Sequence, residues 1–173
     1  MASYQTRVDK ELLLDFILTF SRFEYALKVS GFFKKPNRGK FDSRCPPDAK
    51  PDWDSFAVSL RGVFSQVRSE QLRQACEYLF GFPPNKQVII HDAGGWGIAW
   101  ETPVRPRHET DIGFILRMVR SVRNNLFHGG KYSIEAHEDT PRTEHLLRNS
   151  ILVLRECLAL SPRVGQHFDE ATI

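Results

Sequence analysis

The chain has 173 residues, of which 41% are hydrophobic and 26% charged, and a formal net charge of +3. These values are typical of a soluble globular protein and predict one domain over residues 1–173, and the mild basicity permits a nucleic-acid partner without indicating one. No apolar run approaches the roughly 20 residues of a membrane span, and three distant cysteines argue against a disulfide framework or a zinc knuckle.

The N-terminal segment lacks the layout of a signal peptide, because its apolar run is broken by Asp15 and no small-residue cleavage site follows. Together with the cysteine pattern, this predicts a protein of the reducing cytoplasm with no membrane partner. Cys76 and Cys157 lie in helical patterns and are expected to act as small hydrophobic residues.

The first predicted helix runs from about Asp9 to Ser30, where apolar residues recur at helical spacing. Asp9 is a suitable N-cap, and Gly31 is suited to the position just after the helix. Residues 34–53 follow as a long, basic, proline-rich loop, because three prolines after Arg44 exclude regular helix.

The second predicted helix runs from about Asp54 to Leu79, and Gly81 followed by two prolines ends it. Apolar residues do not recur at helical spacing in residues 85–110. Two short apolar runs flank Asp92-Ala-Gly-Gly, so this insertion is either a β-hairpin or an irregular loop packed by tryptophans.

The third predicted helix runs from about Glu109 to Phe127, and the fourth from about Pro141 to Leu160. Residues 162–173 are expected to form a flexible tail. Four amphipathic helices predict an all-α fold, an antiparallel four-helix bundle in which the basic loop and the 85–110 segment are insertions.

The third helix carries an unusual distribution of polar residues. At about 100° per residue, its apolar residues share one side of the helix. The other side carries two cations, an amide and an imidazole, which belong to Arg117, Arg120, Asn124 and His128. Arg123 lies on the border, so part of its side chain should be buried and its guanidinium should need a partner.

Glu24 is a candidate partner for Arg123, because every other member of its stripe on the first helix is apolar. Either Glu24 pairs with Arg123 and orients the guanidinium, or it lies at the edge of the stripe with its carboxylate in water. His128 has two interpretations as well. It is a functional imidazole, or it is, like Lys131, an ordinary cation at the end of a helix.

The order Arg123-Asn124, three further residues, His128 and then Gly129-Gly130-Lys131 resembles the signature of HEPN domains. The segment from Phe20 to Lys28 is similar to the first helix of small stand-alone bacterial members of that family. The resemblance is strong over the first and third helices and loose over the middle of the chain. It implies a HEPN-type bundle and a symmetric homodimer with the site at its interface.

The resemblance also implies a metal-independent endoribonuclease that needs no cofactor. Arg123 would stabilise the scissile phosphate, Asn124 would fix the geometry, and His128 would move protons while the ribose 2′-OH attacks. Glu24 would support Arg123, and the expected product end is a 2′,3′-cyclic phosphate. RNA carries its own nucleophile, so proton transfer and charge stabilisation suffice for this chemistry.

Around that site, Arg117, Arg120 and Lys131 are expected to bind flanking phosphates of RNA. The cations of the 34–53 loop either extend this surface or are simply solvated. Trp96 and Trp100 either stack on bases or pack inside the protein. The cluster of histidines and acidic residues before the fourth helix lacks metal-ligand spacing, and no metal site is expected.

The implied biological setting is defence, stress response or a toxin–antitoxin pair, with an antitoxin or defence-system protein as a possible partner. Two alternatives stay open. HEPN domains also serve as non-catalytic RNA-binding or protein-interaction modules, and a plain helical protein that binds an antitoxin would carry the same overall pattern.

Overall fold

The computed structural model describes residues 8–36, 42–66, 69–92, 94–127 and 140–171. These residues are mostly helical, with one small antiparallel sheet of two strands. In chain order the elements are α1 (Lys10–Val29), α2 (Trp53–Phe64), α3 (Glu70–Gly81), β1 (Lys86–Asp92), β2 (Gly95–Glu101), α4 (Asp111–Phe127), α5 (Thr140–Leu160) and α6 (Pro162–Glu170). None of the described helices is both long and apolar enough to cross a membrane.

The ends of α1 follow the sequence signals. The side chain of Asp9 accepts hydrogen bonds from the backbone N–H groups of Glu11 and Leu12, which satisfies donors that a helix start leaves free. At the other end Ser30 closes the helix and Gly31 adopts a φ of +92°, a conformation that side chains disfavour. The predicted N-cap and C-terminal stop of this helix are therefore confirmed.

The second predicted helix is wrong as a single element, because the chain forms two helices there. α2 ends at Phe64, and Ser69 starts α3 by accepting a hydrogen bond from the N–H of Leu72 at 3.3 Å. Ser69 followed by Glu70 is a helix-start signal, and the apolar periodicity on either side obscured it. The two helices consequently pack mainly against different partners: α2 packs against α4, and α3 packs against α5.

The insertion before α4 contains a β-hairpin, as one of the two interpretations predicted. β1 and β2 pair antiparallel from Lys86 opposite Glu101 to Asp92 opposite Gly95. Gly95 has a φ of +103°, which the turn requires and a glycine allows at little cost.

The predicted flexible tail is also wrong, since residues 162–170 form α6. Pro162 occupies the first turn of that helix, where its missing N–H costs nothing. Val164 is fully buried, and the carbonyl of Phe168 accepts a hydrogen bond of 2.7 Å from Arg22 of α1. The prediction failed because Pro162 was interpreted as the end of ordered structure rather than as the start of a helix.

The buried apolar side chains of the described residues form one core shared by all six helices. α1 packs against both α5 and α6, and α4 packs mainly against α2. Phe16, Phe23 and Phe56 are fully buried, and Trp53 stacks on Phe23 with a centroid distance of 5.3 Å. This aromatic layer holds α1 beside the start of α2, and both lie next to the polar side of α4.

Candidate functional site

α4 carries the described part of the candidate site because its two sides differ in character. Its apolar residues are buried in the core, as predicted: Ile112, Ile115, Val119 and Val122. The backbone N–H of Gly113 donates to the hydroxyl of Thr110 at 3.1 Å, which caps the start of the helix. This packing fixes the rotation of α4 and so determines which way its polar side chains face.

Arg123 lies half-buried near the C-terminal end of α4. Its guanidinium carbon is 4.9 Å from the ring centroid of Phe127 and 5.8 Å from that of Phe20. Cations are attracted to aromatic faces at such distances, so two rings on different helices hold this group in place. Arg123 therefore lies at the border between the core and the polar side of α4, as the sequence predicted.

Within the described part of the chain, the guanidinium of Arg123 makes one side-chain hydrogen bond, from Nη1 to Oδ1 of Asn124 at 3.3 Å. Among the described residues, no carboxylate lies within 4.0 Å of it. A guanidinium has five N–H donors, and the described residues leave most of them available to a ligand. Arg123 is thus a cation that no described carboxylate neutralises, and it lies beside the exposed amide of Asn124.

Glu24 does not form the predicted ion pair with Arg123. Its carboxylate accepts a hydrogen bond of 3.3 Å from the indole nitrogen of Trp53, and it is only partly exposed. The apolar stripe on α1 therefore tolerates Glu24 because an indole N–H, which needs an acceptor when buried, reaches it. The sequence did not reveal this partner, since Trp53 was assigned to the end of the basic loop.

Arg120 lies one turn before Arg123 on the same side of α4. Its guanidinium carbon is 6.0 Å from the ring of Trp53, and no carboxylate of the described residues lies within 4.0 Å of it. Residues three apart on a helix are neighbours, so Arg120 and Arg123 present side by side two cations that no described carboxylate neutralises. That arrangement suits consecutive phosphates of a polyanion.

Arg117 has a different role from the one predicted. Its Nε and Nη2 donate to the two carboxylate oxygens of Glu109 at 3.0 and 2.7 Å, and Nη2 also donates to the carbonyl of Val104. Its guanidinium also lies over the ring of Phe114. A paired and stacked guanidinium of this kind fixes the segment before α4 and has little left to offer a phosphate.

Asn125 joins the end of α4 to the base of the hairpin. Its side-chain amide donates to the backbone carbonyl of Asn85 at 2.7 Å, and the side chain of Asn85 accepts from the hydroxyl of Thr102 at 3.1 Å. The sequence does not reveal this contact, because nothing in the local pattern connects residues forty positions apart. The C-terminal part of α4 is therefore attached to the base of the hairpin.

His128 and Lys131 lie outside the described residues, as does the Gly129-Gly130 pair. Of the loop cations, Lys34, Lys35 and Arg44 are exposed. Trp96 and Trp100 are exposed on the hairpin rather than packed inside the protein. The described residues contain no group of three or more metal-ligating side chains close enough to hold an ion.

Comparison with known proteins gives no relative: no family model, curated protein or solved structure matches this chain. Membership of the HEPN family is therefore a prediction that rests on the sequence pattern from Arg123 to Lys131. The structure adds the positions of Arg120, Arg123 and Asn124, which share one side of α4.

Proposed function

We propose that this protein is a metal-independent endoribonuclease of the HEPN class, with a bundle of that type and a catalytic set of Arg123, Asn124 and His128. The observation that carries the proposal is the guanidinium of Arg123, which two aromatic rings hold in place and no described carboxylate neutralises. Maintaining such a cation on a partly buried surface is costly unless an anion binds there. Asn124 is beside it, and His128 follows α4 directly in the sequence.

The proposed reaction needs only these groups and the RNA itself. The 2′-oxygen of one ribose attacks the adjacent phosphorus, and the 5′-oxygen of the next nucleotide leaves. An imidazole accepts the proton of the 2′-hydroxyl, and an imidazolium returns a proton to the leaving oxygen. Arg123 stabilises the extra negative charge on the phosphorane, and the products carry a 2′,3′-cyclic phosphate and a 5′-hydroxyl.

Two imidazoles are needed if the acid and the base are separate groups, one from each copy of the chain. A symmetric homodimer supplies both copies across its twofold axis. Arg120 supports the proposal, because it adds a second uncompensated cation one turn away. Lys131 remains in the proposed phosphate-binding set, whereas Arg117 does not, because Glu109 occupies its guanidinium.

The proposed setting is a cytoplasmic defence, stress-response or toxin–antitoxin system. A partner protein that restrains the nuclease, an antitoxin for instance, fits that setting. The charge and fold are equally compatible with a module that binds RNA without cutting it. The experiment below separates the two.

The test is an end-labelled RNA incubated with purified protein in excess EDTA. Wild type should cleave it, and His128→Ala and Arg123→Ala should lower the rate by roughly 100-fold or more, as expected for loss of a proton-transfer or charge-stabilising group. Arg148→Gln is the matched control, because Arg148 is an exposed arginine of α5. It should cleave like wild type.

Equal cleavage by wild type and His128→Ala would reject the site assignment. RNA that binds to wild type but stays intact would support the non-catalytic module instead. Neither binding nor cleavage would leave the helical partner protein as the remaining interpretation.

A further inference from the structure

The hairpin exposes an apolar face that no described part of the chain covers. Side chains alternate along a strand, so the pairs Gln87–Trp100, Ile89–Ile98 and His91–Trp96 share one face. On that face Ile89 is 76% exposed, Ile98 70% and Trp96 80%, while Trp100 is 41% exposed. Single exposed apolar residues are ordinary, but four adjoining ones mark an interaction surface.

The hairpin has little support from the rest of the protein. Its base is held by the contact between Asn125 and Asn85, and no helix packs extensively against the strands. A two-stranded hairpin is marginally stable in water on its own. On the opposite face, Lys86 and Glu101 form an exposed ion pair of 3.1 Å, which adds little stability. A surface that buries the apolar face would therefore add to the stability of the hairpin.

We propose that a second copy of this chain covers that face, so that the protein forms a twofold dimer through the stacked hairpins. The face carries no lysine, arginine, aspartate or glutamate. An RNA or an anionic membrane would require cations at the contact. A second neutral apolar face requires no cations at the contact. Dimerisation then buries the indoles and isoleucines of both copies.

The residue pattern of the face is self-complementary. Both tryptophans are on β2, and the smaller Gln87 and His91 lie opposite them on β1. A twofold axis parallel to the strands places β2 of one copy over β1 of the other. Each indole then lies over a smaller side chain, and the isoleucine pairs meet at the centre, as an isologous contact requires.

The area agrees with a dimer contact of modest size. With aromatic side chains contributing 150–250 Å² each when buried, the four large side chains offer about 600 Å², and a standard interface buries about 800 Å² per partner. The remainder would come from neighbouring residues at the hairpin base. Because the hairpin base is joined to α4, this dimer would also fix the positions of the two α4 helices relative to each other.

The test is sedimentation velocity of the full chain without RNA, at about 1–100 μM, a range in which interfaces of this size associate. Wild type should be a dimer at the upper end. Ile98→Lys and Ile89→Lys should each weaken association by roughly tenfold or more, because each places a desolvated charge at the centre of the contact. Val58→Lys is the control, since Val58 is 69% exposed and α2 does not pack extensively against either strand of the hairpin.

Far-UV circular dichroism should be unchanged in all three variants, because the substituted side chains are exposed. A wild type that is monomeric throughout overturns the proposal, as does a dimer that persists in both hairpin variants or one that Val58→Lys disrupts equally. RNA cleavage plays no part in the readout. Failure of the nuclease proposal and failure of this one are therefore distinguishable.

Discussion

Arg123 and Asn124 show how much the sequence can say about single side chains. The periodicity of α4 alone predicted that Asn124 is exposed and that Arg123 lies at the border of the core, and both predictions are confirmed. The partners were not predictable in the same way. Glu109 of the loop before α4 meets Arg117, and Trp53 at the start of α2 meets Glu24, and no local pattern in the sequence connects either pair.

The cysteines behave as the sequence predicted, and their environments lead to a test. Cys157 is buried and Cys76 half-buried, whereas Cys45 is exposed. Burial raises the pKa of the Cys76 thiol to about 11, and it raises the pKa of Cys157 as well. A raised pKa means that the neutral thiol is favoured in the folded protein, so the thiolate is scarce at neutral pH.

We expect one of the three thiols to react rapidly with an aromatic disulfide reagent at pH 8, namely Cys45. Cys76 and Cys157 should react only after addition of denaturant, and thiol absorbance over time measures both phases. The contribution of the Cys76 thiol to stability should be constant below about pH 8 and fall as pH rises from the ordinary cysteine pKa, about 8.5, towards 11. Two rapid thiols in the native protein would contradict the assigned burial of Cys76.

Among the elements, the helices with long apolar stripes were predictable to within a residue or two. α1, α4 and α5 are of this kind, because burial of one side determines their periodicity. The break between α2 and α3 was hidden by apolar residues that continue the period across it. α6 was missed because it is short and begins with a proline, and its stability comes from contacts with α1 rather than from its own sequence.

The contribution of α6 is measurable, because one side chain anchors it. Val164 is fully buried, so Val164→Ala should lower the free energy of unfolding by roughly 1–3 kcal/mol. Gln166→Ala, on the exposed side of the same helix, should change it by less than about 0.5 kcal/mol. Urea denaturation followed by circular dichroism gives both values. Equal effects of the two substitutions would show that α6 does not pack as described.

At the scale of the whole molecule, the C-terminal part of α4 contacts both α1 and the base of the hairpin. α1 supplies Phe20, α4 supplies Arg123, and the hairpin base accepts the side chain of Asn125. The sequence predicted an all-helical protein with an insertion before α4, and the described residues are mostly helical with a two-stranded hairpin in that insertion. The sequence could not predict that the insertion would be attached to the end of α4, because that depends on a contact between distant residues.

The central claim is that this site uses the 2′-hydroxyl of RNA as the nucleophile. The most direct measurement compares two oligonucleotides of one sequence in excess EDTA, one all-ribose and one with a single 2′-deoxy residue at the mapped cleavage position. We expect the first to be cut to a 2′,3′-cyclic phosphate and the second to stay intact at that position. Equal cleavage of both, or a cut product without the cyclic phosphate, would contradict the account.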